Sequence, residues 1–526
     1  MSSTRHHYGT FKWLYRIQDA DGINMVNRLW KESVANEHPV ITYRRLKGWN
    51  QAQLNDFMYY YASREVAYDY SSNNFGAIMR AEYNRIKTQE PHYVWRRHTI
   101  LKQLNAATGR YIVPDAFAPQ DYGYNIIPLY TTCSTRNVTV KFKGHTEVNG
   151  TAGWRYGFVA LNSSGTISRY SALSSANESQ ISFQLNSGET ELYFVVVGAP
   201  TTHTSYVWEP GWPKIKRYPY ELRIANAVPE GHQTGFRSTY KTNGHTHTNG
   251  GGWVANSATV AATAYVGPSA IVLGSANISG NARIEGMAWV ENAIVQNNVI
   301  IRDNASVWNG IYSGSAVISE NAVLSNCTVS GTAQVKGNAM EWGATFGNAV
   351  IVGGDAEIPS CSTNGVYLQV PHGNNGRTNC DAKTASHTSN VDVNSTYSPF
   401  TDAQMAFSGS VTCTAGVRSA SFLPEPAVTT RSVLSTTPSS GELALRIFPN
   451  PAATEFTIEL EGVGQDKEVW VEVYDLALGR TLFKQNVINK RRLILNARAL
   501  RLKAGNYVVK VTGTGQVLTY KLQVLE

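Results

Sequence analysis

Residues 254–290 read VANSATVAATAYVGPSAIVLGSANISGNARIEGMAWV, and their spacing decides the architecture. Val254, Val260, Val266, Val272, Ile278, Ile284 and Val290 stand six residues apart without a break. Four residues after each of the first six stands alanine: Ala258, Ala264, Ala270, Ala276, Ala282 and Ala288. An aliphatic residue at the first place of a hexad and a small one at the fifth predict a parallel β-helix. Three hexads close one triangular coil, the aliphatic side chain filling the interior and the small residue permitting the corner. The register slips at Val295 and resumes through Ile301 and Val307, Ile318 and Leu324, Val329 and Val335, Phe346, Val352 and Ile358. That supplies about six coils, enough for a fold in which each coil buries its face only against its neighbours.

The repeat, assigned to residues 253–373, resembles the hexapeptide-repeat, left-handed β-helix family. Many members of that family are acyltransferases, which the resemblance would imply here. Such enzymes use a histidine on the coils as general base. No histidine occurs between positions 248 and 371, which disfavours acyl transfer. A rigid spacer or binding face is left. Trp289, Trp308 and Trp342 are either aromatic platforms for a glycan or corner packing.

Upstream, residues 1–117 read as helical. In DGINMVNRLWKESVAN, Ile23, Val26, Leu29, Trp30 and Val34 recur at three- and four-residue steps, with Asp21 as N-cap. Asn50 caps a second helix that turns Leu54, Met58, Tyr61 and Val66 inward, and FGAIMRAEYNRI and HTILKQLNAA read as two more. From 118 to 228 the period becomes alternating. NVTVKFKG puts Val138, Val140 and Phe142 on one face, and WRYGFVALNSSGTISRYS is a hairpin turning at NSSG. Two further strands flank NSGE, and turns every ten or so residues predict an antiparallel β-sandwich. Residues 229–252 form a polar, Gly-rich linker and 374–440 a Ser/Thr-rich one. Residues 441–526 alternate again as a small all-β unit. The fold class is thus multidomain: an α-helical N-terminal region, an antiparallel β-sandwich, a left-handed parallel β-helix and a C-terminal all-β, immunoglobulin-like sandwich.

The tail resembles the type A sorting domain of the type IX secretion system. The matching residues are Phe448, Pro449, Asn450 and Pro451, then Gly479-Arg480 ending VEVYDLALGR, Gly505 and Tyr507 opening a late strand, and the terminal KLQV. The resemblance implies the type IX secretion machinery as partner and an extracellular or outer-membrane-surface location. Residues 1 to about 225 resemble the distal half of Svx/AvrXca-type secreted virulence proteins, a metallopeptidase-like group. The segments that carry this are SSTRHHYGTF, DGINMVNRLWKES, HPVITYRRLKG, VAYDYS, GRYIVPDAFAPQDYGYNIIPLY and GWRYGFVALNSSGTISRYS with VVVGAP. That family's zinc site is expected upstream, on an HExxH helix. No HExxH occurs here, and Glu37-His38 lacks a second imidazole. No catalytic residue, cofactor or metal ligand is therefore assigned in this chain, and zinc is expected only for an upstream part.

Two histidine groups remain candidates. Arg5-His6-His7 could line the missing site or merely begin a surface helix, and His245 with His247 is either an HxH metal pair or a linker pair. Of Cys133, Cys327, Cys361, Cys380 and Cys413, none forms CxxC. Cys361 and Cys380 bracket a loop that a disulfide could close in an oxidising compartment, and Cys327 is the candidate free thiol. Only 16% of residues are charged, and the formal charge of +8 is spread without a basic run, so nothing points to nucleic acid. No run of 18 apolar residues exists for a transmembrane segment. MSSTRHHYGTF has no apolar signal-peptide core, although a sorting tail presupposes inner-membrane export. The reading therefore expects an incomplete chain. It is the C-terminal portion of a zinc-metallopeptidase-like virulence or degradative protein, whose helices show an apolar face meant for the missing half. The alternative is a non-enzymatic surface adhesin or glycan-binding protein, with an extracellular protein or glycan as partner.

Overall fold

The computed structural model describes residues 11–89, 97–203, 217–370, 397–413 and 444–524. Left out within these ranges are 36, 338, 355–356, 360–361, 365–366, 449–454, 462–468, 476–479, 488–491, 498, 501, 503–504 and 514–515. The chain divides into two compact units, Met1–Val428 and Thr429–Glu526.

In the first unit the hexads wind into a parallel β-solenoid of about six turns. Its first face stacks Trp253–Ala255, Ile271–Leu273, Trp289–Glu291 and their successors; the second begins at Thr259–Val260 and the third at Tyr265–Val266. Inside, Val266, Val272, Ile278, Ile284, Val290 and the alanines between them are closed to solvent. The slip at Val295 is a change of rule rather than an irregularity. Val254 pairs with Val272 eighteen residues on, but Ile278 pairs with Val295 and Ile284 with Ile301, seventeen on. The corner between first and second faces has lost one residue per coil. Asn292, Asn309, Asn326 and Gly343, seventeen apart, fill that shorter corner with φ of 53°, 52°, 56° and 65°. Only glycine and asparagine adopt this left-handed conformation readily. Two described interior places fall outside the run of anchors read from the sequence. Tyr312 stands between Val295 and Val329, and Glu341 between Leu324 and Ile358.

Among the described residues five α-helices precede the solenoid: α1 (Phe11–Asp21), α2 (Ile23–Lys31), α3 (Pro39–Lys47), α4 (Gln51–Glu65) and α5 (Phe75–Gln89). Asn50 caps α4 in a reciprocal capping box with Gln53, and Leu54, Met58, Tyr61 and Val66 are buried as expected. Helix α2 departs from expectation at its start and in its burial. Asp21 ends α1 instead of capping α2, and its carboxylate accepts bonds from Tyr43 Oη and Lys47 Nζ; Gly22, at φ 81°, makes the break. Of the residues grouped by spacing only Leu29 is buried, while Ile23, Trp30 and Val34 are 52%, 66% and 56% exposed.

Ten strands follow. Those of one sheet are β1 (Lys102–Asn105), β2 (Arg110–Ile112), β4 (Asn137–Gly144), β7 (Glu178–Gln184) and β9 (Tyr220–Ala225), in the order β1-β2-β9-β4-β7. The other sheet holds β3 (Tyr124–Thr131), β5 (Trp154–Asn162), β6 (Ile167–Tyr170), β8 (Glu189–Gly198) and β10 (Ala227–Pro229), in the order β10-β3-β8-β5-β6. All neighbours in both sheets are antiparallel. HTILKQLNAA, expected as helix, supplies β1. Its end runs into a tight turn at Gly109 (φ 63°), which returns the chain as β2. The two sheets enclose Phe142, Trp154, Tyr156, Phe158, Phe194 and Tyr220, with Phe142 and Tyr156 stacked at 3.9 Å. Helix α4, through Tyr59 and Ala62, and the turn after it, through Val66 and Ala67, cover the outer side of the second sheet against Val159, Val195 and Val197.

Two stretches expected to be linkers carry structure. Within 229–252, Gly244–Thr246 pairs antiparallel with Trp253–Ala255 and extends the solenoid's first sheet, while Arg237 and Tyr240 pack on Trp289. Within 374–440, residues 397–413 run back over the first sheet. Arg110 ties Asp402 to Glu221, Phe400 N donates to Glu221 at 2.7 Å, and Met405 is fully buried. Gln180 bonds Ser408, Asn226 bonds Val411, and a disulfide joins Cys413 to Cys133, 280 residues away. Cys361 and Cys380 lie outside the described residues, and Cys327 is free and buried.

The second unit is two antiparallel sheets. One holds Ala444–Phe448, Glu455–Glu461 and Arg492–Asn496; the other orders Arg480–Asn486, Val469–Asp475, Gly505–Gly513 and Gln516–Val524. Phe456, Ile458, Val471, Val473, Val509, Val511 and Leu522 form their shared core.

Candidate functional site

The sequence-level candidates do not converge. Arg5, His6 and His7 lie outside the described residues. His247 is buried with Nε2 against Ala264 O, whereas His245 is exposed with Nδ1 at Asn256 Oδ1, so the two engage different partners. Trp289 is 2% exposed beneath Tyr240 and Arg237, and its indole donates to Glu291; it packs and is no platform. Trp308 and Trp342 are half-buried on the same face, two coils apart. In the tail, Phe448 ends its strand, Arg480 opens another opposite Asp475, and Gly505 opens the strand that carries buried Tyr507. Pro449, Asn450, Pro451 and Gly479 lie outside the described residues.

Folding assembles a group that the sequence did not suggest. His38 caps α3, where Nδ1 accepts the Val40 amide at 3.3 Å. Its ring centroid lies 6.4 Å from that of His203, whose Nδ1 is 2.9 Å from Asp121 Oδ2. Tyr218 Oη donates to the other oxygen of Asp121, and Tyr122, at φ 62°, packs on His203. Burial, helped by His203, lowers the His38 pKa to about 4, so this imidazole is neutral at pH 7. A neutral ring that accepts at Nδ1 must carry its proton on Nε2. His38 can therefore donate there, and binding a metal at Nε2 would move the proton to Nδ1 and cost the cap on Val40. His203 Nε2 is buried without a hydrogen bond.

A second group lies beneath the returning segment. Buried His145 stacks on Phe400 at 4.2 Å, with Nδ1 2.6 Å from Glu147 and Nε2 3.3 Å from buried Glu221. Glu147, Tyr397 and Phe400 line a shallow cavity of about 430 Å³ above it. Among the described residues no three His, Cys, Asp or Glu side chains group as a metal set. Together with the His38 tautomer, this means that the described donors do not fit a catalytic zinc. No signal in the sequence marks either group: His203 is 165 residues from His38, and Glu221 is 76 from His145.

A disulfide-strapped body with a docked solenoid, followed by a separate small β unit, is the build of an exported modular protein. Residues 446–525 match secretion-system C-terminal sorting domains, so the tail addresses the chain to the type IX machinery and to the cell surface or extracellular space. Residues 1–231 match DUF6055, a family of unknown function. No curated protein matches the chain. No described helix is long and apolar enough to cross a membrane.

Proposed function

We propose that this chain carries the non-metal-binding part of a metallopeptidase-like degradative or virulence protein, whose HExxH helix belongs to sequence outside these 526 residues. The resemblance of residues 1 to about 225 suggests the class, and one observation favours a missing neighbour. Ile23 and Trp30 on α2, with Val34 in the segment after it, are exposed apolar side chains that no described residue covers. Such patches on exported proteins mark contact surfaces. Zinc would be held by that neighbour, with Asp121, His203 and His38 supplying no ligand. Phe448, Pro449, Asn450, Pro451, Gly479, Arg480, Gly505 and Tyr507 would be the residues by which the secretion machinery reads the tail.

The second reading, a non-enzymatic adhesin, is favoured by the misfit of the described donors to zinc. Reading genomic DNA upstream of Met1 separates the two. An in-frame HExxH, with one zinc per longer product and chelator-sensitive cleavage of a fluorogenic peptide library, supports the peptidase class. A verified stop codon immediately upstream supports the adhesin. Stoichiometric zinc and peptide cleavage by the 526-residue chain itself would overturn the account of its donors.

A further inference from the structure

The second face of the solenoid differs from the rest of the surface in one respect: it carries no charge. The aliphatic anchors point inward, so their neighbours point out. Along this face the outward column is Thr259, Asn277, Ile294, Ile311, Thr328 and Thr345. Apart from buried Val299, Cys327 and Val350, the next column and both flanking corners are alanine, serine, threonine, asparagine, glutamine and glycine through six successive coils. The charged residues between Ala255 and Val350 all lie elsewhere. Arg283, Glu285, Arg302, Asp303, Glu320 and Lys336 sit on the third face and the corner after it, Glu291 on the first face and Glu341 inside. At the middle of the uncharged face Ile294 and Ile311 are cross-strand partners, each 42% exposed.

We infer that this face binds a neutral polysaccharide chain. Amide and hydroxyl side chains offer donors and acceptors together, which is what sugar hydroxyls require, and the isoleucine pair offers aliphatic surface to the C–H side of a sugar ring. Anionic polymers and membranes find no cation here to pair with. A second copy of the chain is a poor fit on area. Six strands about 4.8 Å apart span about 25 Å, and a face about 15 Å wide then offers roughly 400 Å², half of the ~800 Å² per partner that a stable interface needs. A long glycan does not face that limit, because repeated weak contacts along one chain add through effective concentration. The inference does not depend on the chemistry of residues 1–231.

Affinity electrophoresis of the full chain in native gels containing dextran, galactomannan or mixed-linkage β-glucan tests this. Retardation by at least one polymer is expected, unchanged when NaCl is raised. The double variant Ile294→Lys/Thr328→Lys should weaken it by at least about tenfold, and Arg302→Ser, on the third face, should leave it intact. Thr345→Arg alone is the second variant should the double one melt early, and it should weaken retardation in the same direction. Migration unaltered by all three polymers, equal retardation of wild type and face variants, or retardation that salt abolishes would each overturn the inference. So would a dimer in sedimentation velocity that the face variants dissolve, which would give the surface to a second copy.

Discussion

Removing the Cys133–Cys413 disulfide by Cys133→Ser/Cys413→Ser should destabilise the first unit through the unfolded chain. The bond closes a loop of 280 residues. The chain-entropy relation gives about 19 cal/mol/K for such a loop, or about 5.6 kcal/mol at 25 °C. An unfolding entropy near 2.1 cal/mol/K per residue over Met1–Val428 amounts to about 0.9 kcal/mol/K, so the melting temperature should fall by about 6 °C. The folded strap should barely notice. Arg110 still pairs with Asp402 and Glu221, Phe400 still stacks on His145, and Met405 stays buried. Thermal melts by circular dichroism and limited proteolysis of 397–413 separate these effects. The expected pattern is a clear drop in melting temperature with little added cleavage. An unchanged melting temperature refutes the loop-entropy reasoning, and rapid cleavage of 397–413 in the double variant refutes the claim that its contacts hold it.

Val272→Asp removes a fully buried side chain and buries a carboxylate, so it should cost about 4 kcal/mol or more, whereas exposed Thr259→Asp should stay within about 0.5 kcal/mol; equal melting temperatures would sink the assigned register. His38 has a folded pKa lowered from 6.5 to about 4, so below pH 6.5 the unfolded chain takes up the proton first. Stability should therefore fall as pH drops from 6.5 to 4, by up to about 3 kcal/mol from this group, and His38→Asn, which keeps a capping side chain, should flatten the pH–melting curve over that window. A curve as steep in the variant as in the wild type would remove His38 from the account. Deleting residues 441–526 in a type IX-competent host should retain the protein in the periplasm, and immunoblots finding the truncated form at the surface or in the medium would contradict the role of the tail.

The solenoid was legible because its signal repeats. An inward aliphatic every six residues is a pattern no helix or ordinary strand produces, and each coil restates it. The pattern broke only where Tyr312 and Glu341 take interior places, since an aliphatic template skips both. The seventeen-residue coil was nonetheless written in Asn292, Asn309, Asn326 and Gly343, the residues that tolerate the shortened corner. The helices were read less well. Spacing groups Ile23 with Trp30, but only tertiary contacts decide which side of α2 faces inward. HTILKQLNAA carries helix-like spacing, yet pairing with β2 takes it into a sheet. The disulfide, the strap and the Asp121–His203–His38 group were not legible at all. Each joins positions from 82 to 297 residues apart, and nothing local distinguishes their members. The tail read easily because its turns and strands keep a fixed order.

The strap also decides how this chain would carry a mechanical load. A pull applied from the C-terminal side reaches Cys413 first, and the disulfide passes it directly to Cys133 in the sandwich. Everything between, including the whole solenoid, lies off the line of tension. Forces that would peel a stack of thin coils one by one meet a covalent bond instead. A cell-surface protein held at its C-terminal end could thus keep its repeat slack while flow drags on the body.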